Sequence, residues 1–245
     1  MDFRFLMPVD AYQSVTVLSI FQFPANKSWW ALGQMGKSAL LSPTPKGLRF
    51  GKMLGSGRGG FSMVPDFTRY ALLTVWNTIQ DATQFFHSDL SKEYSIHASE
   101  TYHLVLLPTN THGYWNHINP FAETYNTTDN TLPVVVLTRA TIYWYRLPEF
   151  WQNVPRVQAV IHSAPGMLFS IGVGELPLIQ QATISIWENS DAIKNFAYKK
   201  TFHKEVVHKT RTRNWYKEEL FARFIPVATY GTYQGKDILE SYFKK

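Results

Sequence analysis

The chain has 245 residues, 45% of them hydrophobic and 17% charged, which excludes a disordered chain because ample apolar surface is available for a core. Cysteine is absent, which excludes disulfides, thiolate-bound metals, iron–sulfur clusters and cysteine nucleophiles. The chain starts without a basic leader and contains no run of about 18 apolar residues, so we expect a cytoplasmic protein without a membrane span.

The first half of the chain alternates strand and helix signals. Runs of β-branched and aromatic residues predict strands, and the stretches between them predict helices. The predicted strands are residues 15–21, 48–54, 70–76 and 102–107, and the predicted helices are residues 28–35 and 78–87.

The second half repeats this order. Its predicted strands are residues 134–142, 168–171, 182–187 and 220–227, with a helix near residues 149–153 and a basic helical stretch after residue 187. The order β-α-β-β-α-β is that of a ferredoxin-like unit. We therefore predict an α+β fold of two tandem ferredoxin-like repeats, residues 1–128 and 129–245. Because each sheet needs cover on its bare face, the repeats should form one compact unit around an apolar cavity.

Matching landmarks in the two halves indicate a duplication. Trp76 and Trp187 lie 111 residues apart, and each precedes a phenylalanine by nine residues. Further along, residues 113–115 have a counterpart at residues 231–233, which again begins with glycine. The landmarks follow the same order in both halves, which favours an internal repeat over chance matching.

Positive charge is concentrated in one stretch of the second half. The net charge is +6, and Glu205 opposes eight basic side chains there. A stretch of this kind suits an acidic protein or an anionic membrane surface, and a solvated helix face is the alternative. No recognised nucleic-acid-binding motif accompanies it, so we expect no nucleic-acid partner. The basic residues are Lys194, Lys199, Lys200, Lys204, Lys209, Arg211, Arg213 and Lys217.

A glycine-rich stretch at residues 55–60 satisfies the dinucleotide pattern G-x-G-x-x-G. A nucleotide site also needs a helix that opens at the third glycine, and Pro65 disfavours helical geometry just beyond it. We therefore expect these glycines to permit a tight turn rather than to bind a nicotinamide or flavin.

Eight histidines are the strongest nitrogen ligands available for a transition metal, and none forms an H-E-x-x-H pair. His112 and His117 fall in a predicted loop. His203 and His208 are five residues apart on the basic stretch, about 500° of helical rotation, so they cannot easily share one metal. A single axial ligand would need only one of them, and a hydrogen-bonded structural role is the alternative for each.

Several long stretches together resemble the spheroidene monooxygenase family, the carotenoid 2-oxygenases of purple bacteria. The densest likeness lies at residues 215–224, and the likeness spans nearly the whole chain. The other stretches are residues 30–36, 55–57, 60–62, 137–142, 150–155, 169–175 and 181–187.

The resemblance implies a dimeric-type α/β barrel within one chain that binds heme. It also implies insertion of oxygen at the C2 position of an acyclic carotenoid, with electrons from a ferredoxin. His203 lies twelve residues before Trp215, where the family's axial histidine is expected, so the resemblance predicts His203 as the iron ligand. The basic stretch would then dock ferredoxin or hold the protein against an anionic membrane.

Four further residues are candidates for the site. Arg139 is predicted mid-strand among apolar neighbours, where an unpaired charge is costly, so it could pair with a heme propionate or act as a distal donor. An ion pair with a glutamate is the alternative. Arg223 is open to the same two interpretations. Phe169 and Trp187 are candidate pocket walls, with plain core packing as their alternative.

Three other functions are compatible with the sequence. One is a heme enzyme of another chemistry, such as a peroxidase or a dehydratase acting on an apolar substrate. A second is a non-catalytic heme or lipid carrier, and a third is a cofactor-free oxygenase. Because one fold supports many reactions, the resemblance to the family carries the functional prediction and the fold does not.

Overall fold

The computed structural model describes residues 3–10, 13–37, 44–199 and 212–243. Their contacts divide the chain into two compact units. Unit 1 comprises Met1–Ser56, Asp66–Pro108 and Pro226–Lys245, and unit 2 comprises Gly57–Pro65 and Thr109–Ile225. These units are defined by contacts within the fold, whereas the predicted repeats are continuous stretches of sequence. The predicted boundary between residues 128 and 129 therefore stays a prediction.

The described residues form an α+β fold, as predicted. The strands are β1 (Arg4–Phe5), β2 (Val15–Gln22), β3 (Leu48–Gly57), β4 (Pro65–Trp76), β5 (Glu100–Gly113), β6 (Val134–Ile142), β7 (Met167–Leu176), β8 (Gln180–Trp187) and β9 (Tyr216–Gly231). The α-helices are α1 (Ser28–Lys37), α2 (Ile79–Phe86), α3 (Asp89–His97), α4 (Leu147–His162) and α5 (Ser190–Lys199).

In unit 1, the sheet is centred on β2. This strand pairs antiparallel with β4 on one side and β5 on the other, so that Leu18 lies opposite both Leu73 and Leu104. The order across the unit is β3-β4-β2-β5, followed by the last part of β9 and then β1. All but one of the β2 residues are buried, because both faces of this central strand are covered.

In unit 2, β6 takes the corresponding central place. It pairs antiparallel with β8 and with the first part of β9, and β7 pairs with the far edge of β8. The order is therefore β7-β8-β6-β9. Helices α4 and α5 follow β6 and β8 in the chain, and their apolar residues pack on one face of this sheet around Trp187 and Trp151.

The two landmark tryptophans make the same contacts in their own units. In unit 1, Trp76 Nε1 donates to the Thr74 hydroxyl at 2.8 Å, and its ring lies 5.0 Å from that of Phe85. In unit 2, Trp187 Nε1 donates to the Ser185 hydroxyl at 2.9 Å, and its ring lies 5.1 Å from a phenylalanine nine residues on. The equal sequence spacing thus corresponds to equal packing of helix on sheet.

The predicted elements have the correct type, but several are too short. Strand β9 extends from residue 216 to 231 where residues 220–227 were predicted, because its polar ends also join the ladder. Helix α4 runs through Pro155 to His162, well beyond the predicted stop. Helix α3 was missed, since its residues carry little apolar periodicity. The glycine-rich stretch opens no helix, and Gly57 instead pairs with Gly60 in a β-bridge.

The basic helical stretch lies partly outside the described residues. Its first part forms α5, and the basic residues between 200 and 211 fall in the undescribed segment. None of the described helices is long and apolar enough to cross a lipid bilayer.

The close approach at the end of β5 gives a test of this packing. Gly113 has a φ of +88°, and a Cβ there would overlap the backbone oxygen of Glu219. Gly59 shares the left-handed backbone, with a φ of +71°, but an added Cβ would meet nothing. We expect Gly59→Ala to lower the free energy of unfolding by about 1 kcal/mol and Gly113→Ala by about 2 kcal/mol more. Equal losses in denaturant titrations would contradict the close approach.

Candidate functional site

The register of the unit 2 sheet separates the predicted site residues between its two faces. Residues two apart on a strand, and residues directly opposite on neighbouring strands, share a face. Val134 and Val136 lie opposite Trp187 and Arg223, so those two side chains share the face on which the helices pack. Arg139 has the opposite parity on β6 and lies on the other face.

Phe169 lies on the face that carries Arg139. It pairs with Ile186 on β8, which in turn lies opposite Val135 on β6. Phe169 is buried there. The structure therefore brings Arg139 and Phe169 to one face and Trp187 and Arg223 to the other, so the four do not line a single pocket within unit 2.

Arg139 is one of the most buried charged side chains of the described residues, with 1% of its surface exposed. Its Nη1 donates to Glu218 Oε1 and its Nη2 lies 3.5 Å from Glu175 Oε1. Its Nε has no hydrogen-bond partner among the described residues. The contact is thus the glutamate ion pair that the sequence left open as an alternative, and it involves two carboxylates.

A turn at the end of β5 holds Glu218 from the other side. The backbone amides of Asn116 and His117 donate to its two carboxylate oxygens at 3.0 and 2.8 Å. Both residues have positive φ, at 53° and 66°, and this geometry aims the two amides at one acceptor. Glu218 is therefore clasped between a backbone turn and a buried arginine.

The ionised form of Glu218 is favoured. Burial alone would raise its pKa, but the amide hydrogen bonds from His117 and Asn116, together with the charge of Arg139, outweigh burial and lower the pKa. The carboxylate therefore stays charged well below neutral pH, and Arg139 keeps its partner.

Trp115 completes the cluster. Its ring is fully buried, its Nε1 donates to Glu175 Oε1 at 2.6 Å, and the Arg139 guanidinium lies 5.5 Å from the ring centroid. Two carboxylates and an indole thus surround one guanidinium. Because two carboxylates already compensate its single positive charge, Arg139 has no net charge left to attract a further anion.

Unit 1 contains the same clasp without the arginine. Glu100 accepts the backbone amides of Gln234 and Gly235 at 2.8 and 2.6 Å, and these hydrogen bonds lower its pKa although burial opposes them. Glu100 precedes Glu218 by 118 residues, the same separation as Gly113 from Gly231. Arg139 lies opposite Leu220, two residues after Glu218, and Ile20 lies opposite Tyr102, two residues after Glu100. Ile20 therefore takes the place of Arg139 in unit 1. The buried cation is therefore a feature of unit 2.

A cleft of about 500 Å³ adjoins the clasp. Most of the lining residues are of polar type, although more of the exposed lining surface is apolar. Glu218 forms part of the wall, so the buried cluster supports one side of the cleft. The lining residues are Gly113, Tyr114, Asn116, His117, Thr141, Gln180, Lys217, Glu218 and Glu219.

Known proteins similar to this chain share one name. The spheroidene monooxygenase of Cereibacter sphaeroides is 37% identical over 230 residues, covering 92% of this chain and 70% of that protein. The spheroidene monooxygenase of Rhodobacter capsulatus is 35% identical over 93% of this chain and 96% of its own.

The chain belongs to the spheroidene monooxygenase family. The spheroidene monooxygenase of Rubrivivax gelatinosus is a more distant member, at 28% identity over 91% of this chain. No protein-family model matches the chain.

Two solved structures share the fold. An aldoxime dehydratase superposes with a TM-score of 0.62 over 97% of this chain and 92% of its own, at 10% identity. A second aldoxime dehydratase, solved in complex with butyraldoxime, superposes with a TM-score of 0.58 over 97% of this chain and 87% of its own, at 11% identity. At identities this low, the superposition shows a shared fold and gives no information about the reaction.

The predicted iron ligand of this family member lies outside the described residues. His203 and the alternative His208 both fall between residues 200 and 211. Both His112 and His117 are exposed. His117 lies in the turn after β5, as predicted, whereas His112 lies in β5 itself because the strand extends to Gly113, so the loop prediction was wrong for that residue. Among the described residues, no three histidine or carboxylate side chains are placed to hold a metal ion.

On the helix side of the unit 2 sheet, part of the surface is uncovered. Thr138 is exposed although it lies in the middle of β6. Phe221 lies opposite it, with the His112 ring 5.6 Å from the phenylalanine ring and the Arg223 guanidinium 5.5 Å from it. The buried Arg223 Nε has no hydrogen-bond partner among the described residues. Trp187 borders this area in the core formed with α4 and α5.

Sequence analysis missed Glu175, Glu218 and Trp115. Both glutamates lie within the stretches that resemble the family, and each shares the face of Arg139 by strand alternation. Strand parity alone could therefore have suggested them as partners. Trp115 follows β5 in a turn with unusual backbone geometry, which residue types did not reveal.

One buried histidine was also missed. His103, in unit 1, is fully buried, and its Nδ1 lies 2.8 Å from the Ser19 hydroxyl. The rings of Phe86 and Tyr230 pack around it at 5.1 and 5.9 Å. Burial lowers its pKa to about 3, so the imidazole is neutral at physiological pH.

We expect Arg139→Met to lower the free energy of unfolding by about 3–5 kcal/mol at neutral pH, because Glu175 and Glu218 lose their buried partner. The control is Arg58→Met, an exposed arginine of unit 2, for which a change within about 0.5 kcal/mol is expected. The lowered pKa of Glu218 means that its stabilisation is complete above its ordinary value of 4.5 and is lost as pH falls further. A difference between wild type and Arg139→Met that persists undiminished in acid would contradict the ion pair.

The buried His103 gives a second dependence on pH. Its pKa is about 3 in the folded chain and 6.5 when unfolded, so the unfolded chain binds the extra proton between these values. The free energy of unfolding should therefore fall as pH drops below about 6.5, by at most about 1.4 kcal/mol per pH unit from this group. Denaturant titrations of His103→Gln should lack this component, whereas those of the exposed His87→Gln should retain it.

Proposed function

We propose that the chain is a monooxygenase that inserts one oxygen atom of O₂ at the C2 position of an acyclic carotenoid, with heme as cofactor and a ferredoxin as electron donor. The observation that carries the proposal is the identity of 37% and 35% to two spheroidene monooxygenases over more than nine-tenths of the chain. Similarity of this extent includes both units and both faces of the unit 2 sheet.

The proposal includes the architecture predicted from the sequence, two ferredoxin-like repeats joined as a barrel within one chain. The same strand order in each unit supports it, with the first strand of each repeat between the third and the fourth. The matched tryptophan contacts and the two glutamate clasps support it as well. The likeness to an aldoxime dehydratase covers nearly the whole chain, as one continuous duplicated fold requires.

The residues on the helix side of unit 2 fit heme. Its sheet surface offers the Phe221 ring, the exposed Thr138 and the buried Nε of Arg223, which has no partner among the described residues. Arg223 would pair with a propionate, Trp187 would border the cofactor, and His203 would supply the nitrogen that binds iron. Heme bound there would supply O₂ activation driven by electrons delivered one at a time.

The substrate would lie on the same side of the unit 2 sheet as the heme, because the carbon to be oxidised must be held next to the cofactor. Phe169, Leu137 and Ile184 are buried on the opposite face, where they pack as core. In this proposal Arg139 is a positioning residue, because Glu175 and Glu218 occupy its guanidinium. It would fix the end of the sheet and the adjoining turn rather than touch the carotenoid.

The electron donor is proposed from charge. A ferredoxin-type donor is acidic, and the stretch from Lys194 to Lys217 carries eight basic side chains against one acidic one. Two of these cations, Lys194 and Arg213, already pair with Asp191 and Glu149 in the described part of the stretch. The remaining ones would provide most of the attraction.

Absorption spectra and labelled oxygen test the proposal together. Protein reconstituted with heme should show a Soret band that His203→Ala abolishes or shifts, whereas the matched variant His208→Ala should leave it unchanged. With reduced ferredoxin and an acyclic carotenoid, wild-type protein should incorporate isotopically labelled dioxygen at C2.

Four results would contradict parts of this function. A colourless but active protein would indicate a cofactor-free oxygenase. Heme binding without consumption of O₂ would indicate a carrier, and turnover without O₂ would indicate a dehydratase or peroxidase. A Soret band that survives His203→Ala would keep heme and reassign its ligand.

A further inference from the structure

Four segments of unit 2 meet at one end of its sheet. The register places the end of β6 beside the start of β9, with Ile142 opposite Tyr216. The turn between β7 and β8 reaches the same end, because the Ile142 amide donates to the Ile179 oxygen at 2.9 Å. The end of β5 arrives there as well, since the Tyr114 amide donates to the Glu219 oxygen at 2.8 Å.

Six large apolar side chains are exposed at this end. Trp144 is 75% exposed, and each of the others is at least 38% exposed. Single exposed apolar residues are ordinary, but a group gathered at one end of a sheet indicates a contact surface. We call this group the apolar rim, and it consists of Tyr114, Ile118, Trp144, Tyr145, Leu176 and Leu178.

The aromatic part of the apolar rim is held in place. Trp144 and Tyr145 lie in a short 3-10 helix, Trp144–Arg146. The Tyr145 ring stacks on that of Tyr143 at 5.2 Å, and the Arg146 guanidinium lies 5.5 Å from it. The Tyr143 amide donates to the Trp215 oxygen at 3.0 Å, which fastens the helix to the start of β9. The structure therefore presents these rings to solvent on a fixed support.

Positive charge accompanies the apolar rim. Exposed Lys217 and Arg213 lie at this end, immediately after a segment that also carries Lys200, Lys204, Lys209 and Arg211. Glu149 binds both Arg146 and Arg213, so the cations at the rim itself are partly neutralised. Lys217, by contrast, forms no ion pair with the other described residues and keeps its full charge at the rim.

Trp and Tyr beside aliphatic side chains and lysines form the combination that settles at the surface of a bilayer. The amphipathic rings favour the headgroup level, leucines reach the acyl boundary, and cations attract anionic lipids.

We infer that the apolar rim docks this protein on an anionic lipid bilayer. Trp144, Tyr145 and Leu178 enter the interface between headgroups and acyl chains, and the exposed Lys217 and Arg213 meet the charged headgroups. The end of unit 2 that bears the cleft then faces the membrane. A substrate that dissolves only in the bilayer would reach the protein from this side.

Vesicle flotation tests the docking surface. Wild-type protein should float with vesicles of phosphatidylcholine and phosphatidylglycerol in equal parts, and more weakly with phosphatidylcholine alone. Trp144→Ser should weaken the partition about tenfold, the change expected when one large apolar side chain no longer enters the interface. The matched control is Trp29→Ser, which removes an equally exposed tryptophan from α1 in unit 1.

Fluorescence supplies a second measurement, which reports whether Trp144 itself enters the bilayer interface when the protein is bound. Vesicles containing brominated lipid should quench part of the tryptophan emission of wild-type protein and less of that of Trp144→Phe, while Trp29→Phe should match wild type. Circular dichroism checks that each variant is folded.

Several outcomes would overturn the inference. Wild-type protein that fails to float, or equal losses for Trp144→Ser and Trp29→Ser, would do so. Retention on an immobilised acidic ferredoxin that Trp144→Ser abolishes, without any vesicle binding, would make the rim a protein-docking surface instead. Vesicle binding requires neither heme nor turnover, so its failure would leave the proposed oxygenase function standing.

Discussion

The buried charge of Arg139 is the constraint on which unit 2 depends. A guanidinium placed in the middle of a central strand is tolerated only with partners, and three separate segments supply them. Glu218 comes from the start of β9, Glu175 from the end of β7 and Trp115 from the turn after β5. The ion cluster therefore ties together the strand ends that form the cleft and the apolar rim.

The two clasps are alike in their backbone contacts and differ in the side chains around them. Both units capture a strand-entry glutamate with two backbone amides from a turn of left-handed geometry. Unit 2 adds an arginine where unit 1 has Ile20, and it leaves part of its sheet uncovered at Thr138. Unit 1 instead fills its helix side with aromatic rings around His103. The open surface and the buried charge both belong to the unit for which the heme is proposed.

The predicted site residues of unit 2 are divided between the two faces of its sheet. The sequence suggested Arg139 and Arg223, as charges in mid-strand, and Phe169 and Trp187, as pocket walls, and all four lie in stretches that resemble the family. Strand parity assigns two of them to each face. A resemblance identifies residues that matter to a family without stating which of them share a surface. The register between strands supplies that information, and it depends on pairings between residues tens of positions apart.

Composition and local pattern were sufficient for the element types and their order, because strand and helix preferences are properties of short stretches. The repeated tryptophan spacing likewise corresponds to the same contact in both units, between a tryptophan and the phenylalanine nine residues later. The tertiary structure decided what depends on distant contacts. Distant contacts determine which glutamates pair with Arg139 and which turn binds Glu218. They also determine that Trp144 is exposed. Burial and hydrogen bonding at these sites come from segments far apart in the chain, so no local pattern encodes them.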